Sequence, residues 1–391
     1  MKNICPSCGS PNVKDYYRVK NIPVHSVILL HNKDEAQNCP KGDITLGFCQ
    51  YCGFIFNMAF DQTLQEYSSN YESTQGYSPT YNTFAEHLAE NLIDRFDLHR
   101  KEIIEIGCGQ GEFLTLLCKL GGNRGVGFDP AYVSKPNDSS ENYEITFIKD
   151  FYSGKYADIS CDFLCCRMTM EHIREPGFFL QTLQKAIKKN PNAQIFIQVP
   201  DVVRILRDLA FWDIYYEHCS YFSPGSLVRL FEKNGFEVND MWKEYNDQYI
   251  MLCARQKSEG VHNPILKEDS VTGLQKDVQY FTKNYKQQLN KWNKFLRDSK
   301  KNDYRVVLWG GGSKGVAFLT TLGIQDEIEY VVDINPKKFG TFMAGTGHEV
   351  VSPEFLAEYK PDFIIVMNPI YKDEIQSLMK SLGLSPKYLY V

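Results

Sequence analysis

The stretch Glu102-Ile-Ile-Glu-Ile-Gly-Cys-Gly-Gln-Gly111 decides the fold: a short apolar run ends in glycines at 107, 109 and 111, and the helical Glu112-Phe113-Leu114-Thr115-Leu116-Leu117 follows at once. Without Cβ atoms such a loop lets the backbone approach a ligand closely, and the helix behind it presents free N–H groups to the ligand's polar part. Next, Gly125-Val-Gly-Phe-Asp129 reads as a second strand ending in a carboxylate suited to accept both hydroxyls of a ribose. Glycine loops alone are common. Strand, loop, helix, strand and terminal acid in this order predict a doubly wound α/β sheet, and G-x-G-x-G after an acid differs from the G-x-G-x-x-G of dinucleotide dehydrogenases.

Outward from this loop, Cys161–Met170 reads as a buried strand leading to Glu171-His172-Ile173, and Ala193–Val199 as a further strand stopped by Pro200. A long helix is expected around 269–299, with Gln275, Tyr280, Leu289 and Phe295 toward its packed side. A second alternating unit follows: Tyr304–Trp309, the loop Gly310-Gly311-Gly312-Ser313-Lys314-Gly315, a strand ending at Asp333-Ile-Asn335, and Asp362–Met367 before Asn368-Pro-Ile-Tyr371. This is a second Rossmann-like half whose loop suits a nucleotide diphosphate, with Lys314 supplying charge.

At the other end, Cys5-Pro-Ser-Cys8-Gly and Cys49-Gln-Tyr-Cys52-Gly form two knuckles that offer four thiolates to one tetrahedral ion. Zinc suits them, and a filled shell of four sulfurs makes the site structural rather than catalytic. Cys39 lies outside a paired knuckle and is left out. The expected organisation is a zinc module at 1–66, a nucleotide-binding domain with a helical lead-in at 67–256, a bridging helical segment at 257–300 and a Rossmann-like recognition domain at 301–391.

The chain has 391 residues, 43 basic against 48 acidic, for a formal charge of −5. That balance gives no general electrostatic reason to bind a nucleic acid. Twelve cysteines are too few for a disulfide scaffold of this length, and the N-terminal Met-Lys-Asn-Ile-Cys-Pro lacks the apolar run of a secretory signal, so a reducing cytoplasm is expected. No membrane span is expected either.

The Glu105-Ile-Gly107-Cys108-Gly109-Gln-Gly111 pattern resembles the first motif of class I methyltransferases that use S-adenosylmethionine. The resemblance implies that this loop faces the methionine and ribose of the cofactor, that Asp129 binds ribose, and that Asp150 and Phe151 lie by adenine. A second constellation, Trp212-Asp-Ile-Tyr215-Tyr216-Glu217-His218-Cys219-Ser220-Tyr221-Phe222, sets an imidazole and a carboxylate among phenols. Such groups can abstract a proton and stabilise the resulting oxyanion. Neighbours in sequence enter one pocket only if the segment is irregular. It resembles the Tyr-x-Glu-His-x-x-Tyr-Phe signature of deoxysugar C-methyltransferases, particularly nucleotide-linked 3-C-methyltransferases, and with the paired cysteines the likeness covers nearly the whole chain.

That resemblance implies a base that removes the proton beside a 4-keto group. His218 is then the leading base, Tyr215 and Glu217 orient substrate or stabilise charge, His172 is a second imidazole, and a family tyrosine maps to Tyr71 or Tyr77. It implies a nucleotide-sugar held in part by Tyr221, Gly311, Ser313, Lys314, Asp333, Asn335, Asn368 and Tyr371, and a chain acting as a monomer or weak homodimer. The 310–315 loop and the Asn368–Tyr371 turn depart from the usual family texture, which bears on substrate identity. O- or N-methylation of another small metabolite and a noncatalytic zinc-containing scaffold are the alternatives.

Overall fold

The computed structural model describes residues 4–65, 70–134, 143–257 and 269–391. The expected boundary at 66/67, Tyr67 and nearly all of the polar stretch after 257 lie outside the described residues. In chain order the strands are β1 (Val13–Pro23), β2 (Lys41–Cys49), β3 (Ile55–Asn57), β4 (Glu102–Ile106), β5 (Arg124–Phe128), β6 (Glu144–Ile148), β7 (Phe163–Arg167), β8 (Gln194–Pro200), β9 (Ser220–Tyr221), β10 (Phe236–Glu244), β11 (Tyr249–Gln256), β12 (Val306–Trp309), β13 (Tyr330–Val332), β14 (Glu349–Val351), β15 (Phe363–Val366) and β16 (Lys387–Tyr390).

The middle sheet runs β10-β11-β8-β7-β4-β5-β6. Strands β4 to β8 are parallel, and β11 is antiparallel to both β8 and β10. Parallel strands covered by helices on both faces must be apolar on both faces, and β7 (Phe-Leu-Cys-Cys-Arg) is buried along its whole length. The chain leaves β4 toward β5 on one side and later enters β7 on the other. Between those two strands the sheet opens a crevice at their carboxyl ends, the place where open α/β sheets take ligands.

The C-terminal sheet, β14-β13-β12-β15-β16, is parallel throughout and repeats this logic, with its own reversal between β12 and β15. The N-terminal sheet is antiparallel, β1-β2-β3-β9. Its last strand comes from far along the chain: Ile55 pairs with Tyr221, which pins the turn preceding β9 against the cysteine-bearing module.

The long helix spans Val271–Lys301 and buries Leu274, Val278, Phe281, Trp292 and Leu296, a stripe at helical period that packs with Tyr17 and the C-terminal sheet's helices in one core. Leu289 and Phe295 flank that core as expected, whereas Tyr280 is 49% exposed because it falls a quarter-turn or more off the stripe set by Val278 and Phe281.

Candidate active site

A cavity of about 1360 Å³ joins the two sheet reversals: Ile106, Gly107 and Thr169 from the middle sheet and Trp309, Val366 and Asn368 from the C-terminal one line the same space. On the middle-sheet side, Gly107 and Gly109 adopt left-handed conformations with φ of 71° and 57°. A Cβ at Gly107 would stand 2.0 Å from Thr169 Oγ1, whereas one at Gly109 would meet nothing within 4 Å. Gly107 is therefore required by packing, and Gly109 leaves room for a ligand against its backbone.

Asp129 Oδ2 accepts the Gly109 N–H at 2.9 Å and Oδ1 accepts that of Ala131 at 2.8 Å. Burial raises its pKa, and these two amides oppose the shift. Glu105 is buried, and burial pushes its carboxyl to about 8 against the pull of Arg167. Its Oε2 has no partner among the described residues. Asp150 accepts from Tyr156 at 2.6 Å and from Lys155 at 3.2 Å beside the exposed ring of Phe151. Cys108, Asp150 and Phe151 all line the cavity. Gly111 does not: it caps the helix Glu112–Gly121 with φ 83°, and its missing Cβ makes way for Phe147, so its contribution is the turn.

The second cluster sits where the middle sheet, the N-terminal module and the C-terminal half meet. Residues 214–219 form an irregular turn between the short 3-10 helix Phe211–Asp213 and β9, closed by the His218 N–H donating to Tyr215 O at 3.2 Å. That irregularity brings Tyr215, Glu217 and His218 together onto the cavity wall, with the Tyr215 and His218 rings 4.1 Å apart. His172 stands across from His218 at 5.0 Å between ring centroids, and its Nδ1 lies 2.9 Å from the Glu217 carbonyl oxygen. Burial lowers the pKa of both imidazoles, and for His218 the nearby His172 and Lys314 lower it further. His218 is therefore neutral at neutral pH, and its Nδ1 has no partner among the described residues.

Glu217 takes the opposite state. Burial works to raise its carboxyl, but the His25 imidazole at 3.9 Å, the hydrogen bonds from Ser26 and the nearby His172 outweigh it and hold the group ionised. The Ser26 N–H donates to Oε2 at 3.1 Å, the Ser26 hydroxyl bonds the same oxygen, and that hydroxyl is 2.7 Å from Ser313 Oγ. Tyr71 and Tyr77 also line the cavity, Tyr71 through a bridge to Ile28 and Tyr77 with 42% exposure. Tyr221 departs from expectation: strand pairing turns its ring into the core, where its hydroxyl reaches only Tyr215 O at 3.5 Å, so it does not line the cavity.

On the C-terminal side, Lys314 donates to Asp213 Oδ1 at 2.9 Å and to Gln248 Oε1 at 3.1 Å. Asp213 also pairs with Arg204. Burial tends to raise the Asp213 carboxyl and these two cations outweigh it, while burial lowers the Lys314 ammonium. Asn368 exchanges two hydrogen bonds with Gln248, and Tyr371 accepts from Tyr245 at 2.6 Å and donates to Gln75 at 3.0 Å. Asp333 is tied to the Gly311 N–H and Lys338, and Asn335 to the buried Glu72. Ser313, Lys314, Asp333, Asn335, Asn368 and Tyr371 line the cavity. Gly311 does not, because its face is turned to Asp333 at 3.1 Å; Gly310 and Gly312 line it instead.

Several residues here had not been singled out as site residues: Ser26, Glu72, Glu171, Asp213, Gln248 and Lys338. Glu171 and Asp213 stand within stretches that sequence reading marked, yet a lone carboxylate in such a stretch reads as a solvated group. The four cysteines converge as expected. Their sulfurs lie within 4.8 Å of one another, with Cys5–Cys52 at 3.7 Å and Cys8–Cys49 at 3.5 Å.

Residues 81–240 match a family model described as a methyltransferase domain, and residues 250–384 one described as a C-methyltransferase C-terminal domain. The chain is 25% identical over 309 residues to the C-methyltransferase NovU of Streptomyces niveus, covering 74% of this chain and 71% of that protein. It is 28% identical over 184 residues to a mitochondrial ubiquinone biosynthesis O-methyltransferase of Dictyostelium discoideum, covering 40% of this chain and 56% of that protein. Among solved structures it is similar to the Burkholderia thailandensis 1,6-didemethyltoxoflavin-N1-methyltransferase, at 14% identity and a TM-score of 0.35 over 47% of this chain and 83% of the other. A methyltransferase domain is followed by a C-methyltransferase C-terminal domain, and the chain is an S-adenosylmethionine-dependent methyltransferase with likeness to C-methyltransferases.

Proposed function

We propose that the enzyme methylates carbon, at C3 of a nucleotide-linked 4-keto-deoxysugar, through an enolate. The observation that carries this reading is the neutral, buried His218, whose Nδ1 has no partner and which lines the cavity common to both halves. Methylating a hydroxyl needs no strong carbon acid, whereas a C–H beside a ketone must lose its proton first. His218 Nδ1 takes that proton, the C–H electron pair forms the enolate double bond, and the carbonyl pair moves onto oxygen. Tyr215, whose phenol burial keeps protonated, is available to donate to the charged oxygen, and Glu217 holds His172 and the substrate hydroxyls in place.

The glycine loop and Asp129 suit the cofactor: an open face at Gly109 and a carboxylate at the end of β5 fit a ribose laid against backbone. S-Adenosylmethionine supplies the electrophilic methyl group that the enolate carbon accepts. The nucleotide-sugar is assigned to the C-terminal side, where Ser313, Lys314 and Lys338 face the same space. Cys5, Cys8, Cys49 and Cys52 we assign to a structural zinc, because a tetrahedron with Zn–S near 2.3 Å has edges of roughly 3.8 Å, close to the observed spacings. A reducing cytoplasm is the setting in which such thiolates persist. A monomer or weak homodimer is part of the same proposal.

The test is incubation with S-adenosylmethionine and a thymidine diphosphate-linked 4-keto-6-deoxysugar, followed by fragmentation of the product. A methyl group on the carbon beside the ketone is expected. A methyl group on oxygen or nitrogen overturns the reading.

A further inference from the structure

The turn Met170–His172, which follows β7, places Glu171 on the cavity wall at 1% exposure. Both of its carboxyl oxygens are buried without a hydrogen-bond partner among the described residues, and Oε1 is 4.0 Å from His218 Nε2. A buried polar group left unpaired destabilises the fold, and in a native protein it needs an explanation. Nothing in the mechanism above uses it.

We propose that Glu171 is a catalytic residue: a neutral carboxylic acid that donates a hydrogen bond to the substrate oxygen that gains charge while His218 takes the neighbouring proton. This rests on the enolate reading and assigns its oxyanion a donor. The acid keeps its proton throughout. The C–H proton goes to His218, the carbonyl π pair goes to oxygen, and the Glu171 O–H orients toward that oxygen, withdrawing nothing else from the balance.

The surroundings agree. The neutral groups around Glu171 are His172 on its own turn, Cys166 from β7, Tyr215, His218 and Cys219 from the turn before β9, and Tyr249 from β11. The ionised Glu217 and Asp213 share Tyr215 with it as a neighbour, and Lys314 acts on His218. Burial pushes the Glu171 carboxyl to about 8, eased only by the dipole of its own backbone N–H, so the acid form predominates at neutral pH. A carboxylic acid kept neutral by an apolar site is a strong donor to a developing oxyanion. The ligand atoms of Glu171, His172 and His218 lie within 4.8 Å of one another, close enough to suggest a divalent cation as the competing occupant. A cation there would hold Glu171 ionised and, taken up by the His218 Nε2 that faces it, would leave the ring proton on Nδ1, the nitrogen that the base requires free.

The experiment measures solvent deuterium exchange at the carbon beside the ketone of the same 4-keto-6-deoxysugar, against pH, for wild type, Glu171→Gln and Glu171→Ala. Binding of S-adenosylmethionine by calorimetry checks each variant's fold, and infrared spectroscopy reads the acid carbonyl band of Glu171 as the difference between wild type and Glu171→Gln, since the buried Glu105 contributes one to both. Wild-type exchange is expected to fall above an apparent pKa near 8. Glu171→Gln keeps a donor, so it should lose that alkaline limb and retain exchange within about tenfold at neutral pH, whereas Glu171→Ala should lose about 10²–10³-fold. An alkaline limb unchanged in Glu171→Gln, or exchange in Glu171→Ala equal to wild type, overturns the assignment while leaving the enolate reading standing. Absence of exchange in wild type overturns both. Exchange that requires Mn²⁺ or a second equivalent of Zn²⁺ beyond the one held by the four cysteines, with no acid carbonyl band lost in Glu171→Gln, overturns the neutral donor in favour of the cation.

Discussion

The Ser26 N–H donates to Glu217 Oε2 at 3.1 Å across 191 residues of sequence, so the cysteine-bearing module supplies a hydrogen bond to the Tyr215–His218 turn. The Ser26 hydroxyl bonds the same carboxylate and reaches Ser313 of the C-terminal half. One serine thus ties together all three parts of the chain at the carboxylate. Glu217 in turn is held through its carbonyl oxygen to His172.

Ser26→Ala should therefore lower turnover more than it raises substrate KM. Removing one hydrogen bond to a charged buried group costs about 1–3 kcal/mol of stability, and a shift of the Glu217 carboxylate should cost about 10- to 100-fold in kcat. The pH window follows from the sign of the shift. Glu217 is held below its ordinary value of 4.5, so its stabilising share is present above that value and is lost as pH falls through the lowered one. The variant should accordingly unfold at a higher pH than wild type in an acid titration followed by circular dichroism. Identical acid midpoints would contradict the role given to Ser26.

His218 has to be neutral to take a proton, and burial, His172 and Lys314 keep it so. Exchange at the substrate carbon should hold nearly constant as pH falls through about 6.5, the ordinary histidine value, and fail only at more acidic pH. His218→Ala should retain cofactor affinity and lose about 10²–10⁴-fold in exchange. The two buried imidazoles also destabilise the fold in acid, because the unfolded chain takes up protons below about 6.5 and the folded chain does not until their lowered values are reached. Glu105 and Glu171 act in the opposite sense: raised to about 8, they favour the fold most below their ordinary 4.5, a share lost as pH rises through about 8. The loss of melting temperature between neutral pH and pH near 5 should be smaller in His218→Ala than in wild type, and an equal loss would remove His218 from this account.

What was legible in the sequence was whatever is local. The glycine loop, the acid at the end of β5 and the paired knuckles each declare themselves within a few residues, because turn geometry and metal ligation need fixed spacings. The Tyr215–His218 turn was readable for the same reason, once its irregularity was allowed. The contacts that set protonation states were not, since Ser26 with Glu217, Glu72 with Asn335 and Lys314 with Asp213 join positions 191, 263 and 101 residues apart. Glu171 stands beside His172 in the sequence, yet its burial depends on how the turn before β9 packs over it. Tyr221 was misassigned because pairing of β9 with β3 decides which way its ring points, and that strand is two residues long with no periodicity to read.

The glycines of the first loop should separate binding from folding. Gly109→Ala puts a methyl group into open space at φ 57°, a left-handed cost of about 1–2 kcal/mol. Its melting temperature should drop modestly while affinity for S-adenosylmethionine falls at least about tenfold, roughly 1.4 kcal/mol. Gly111→Ala meets the Phe147 ring at 2.3 Å as well as a φ of 83°. Overpacking adds about 1–3 kcal/mol, so this variant should lose stability first. Calorimetry for affinity and thermal unfolding for stability give the two readouts, and the opposite ranking would mean that the cofactor does not lie along Gly109.

Removing the metal should act on the site through the N-terminal sheet. Cys49 ends β2, Cys52 O accepts from Arg229 at 2.9 Å, and β3 just beyond the second knuckle pairs with β9, with the Asn57 N–H donating to Cys219 O at 2.9 Å. Cys219 is the neighbour of His218, so loosening this module should release the turn that carries the proposed base. Structural zinc is worth about 10–16 kcal/mol in isolated peptide modules. Here Cys5, Cys49 and Cys52 also belong to a core shared with the middle sheet, so part of the module should survive without metal. Elemental analysis should find one zinc per chain in wild type and in Cys39→Ser, and less in Cys49→Ser. A strong chelator should lower the melting temperature and abolish exchange at the substrate carbon while S-adenosylmethionine still binds, because the glycine loop is held to the end of β5 by the Gly107 N–H donating to Phe128 O at 2.8 Å and the Gly109 N–H to Asp129 at 2.9 Å. Metal-free protein with unchanged melting and unchanged exchange would show that the four thiols hold the module by packing alone.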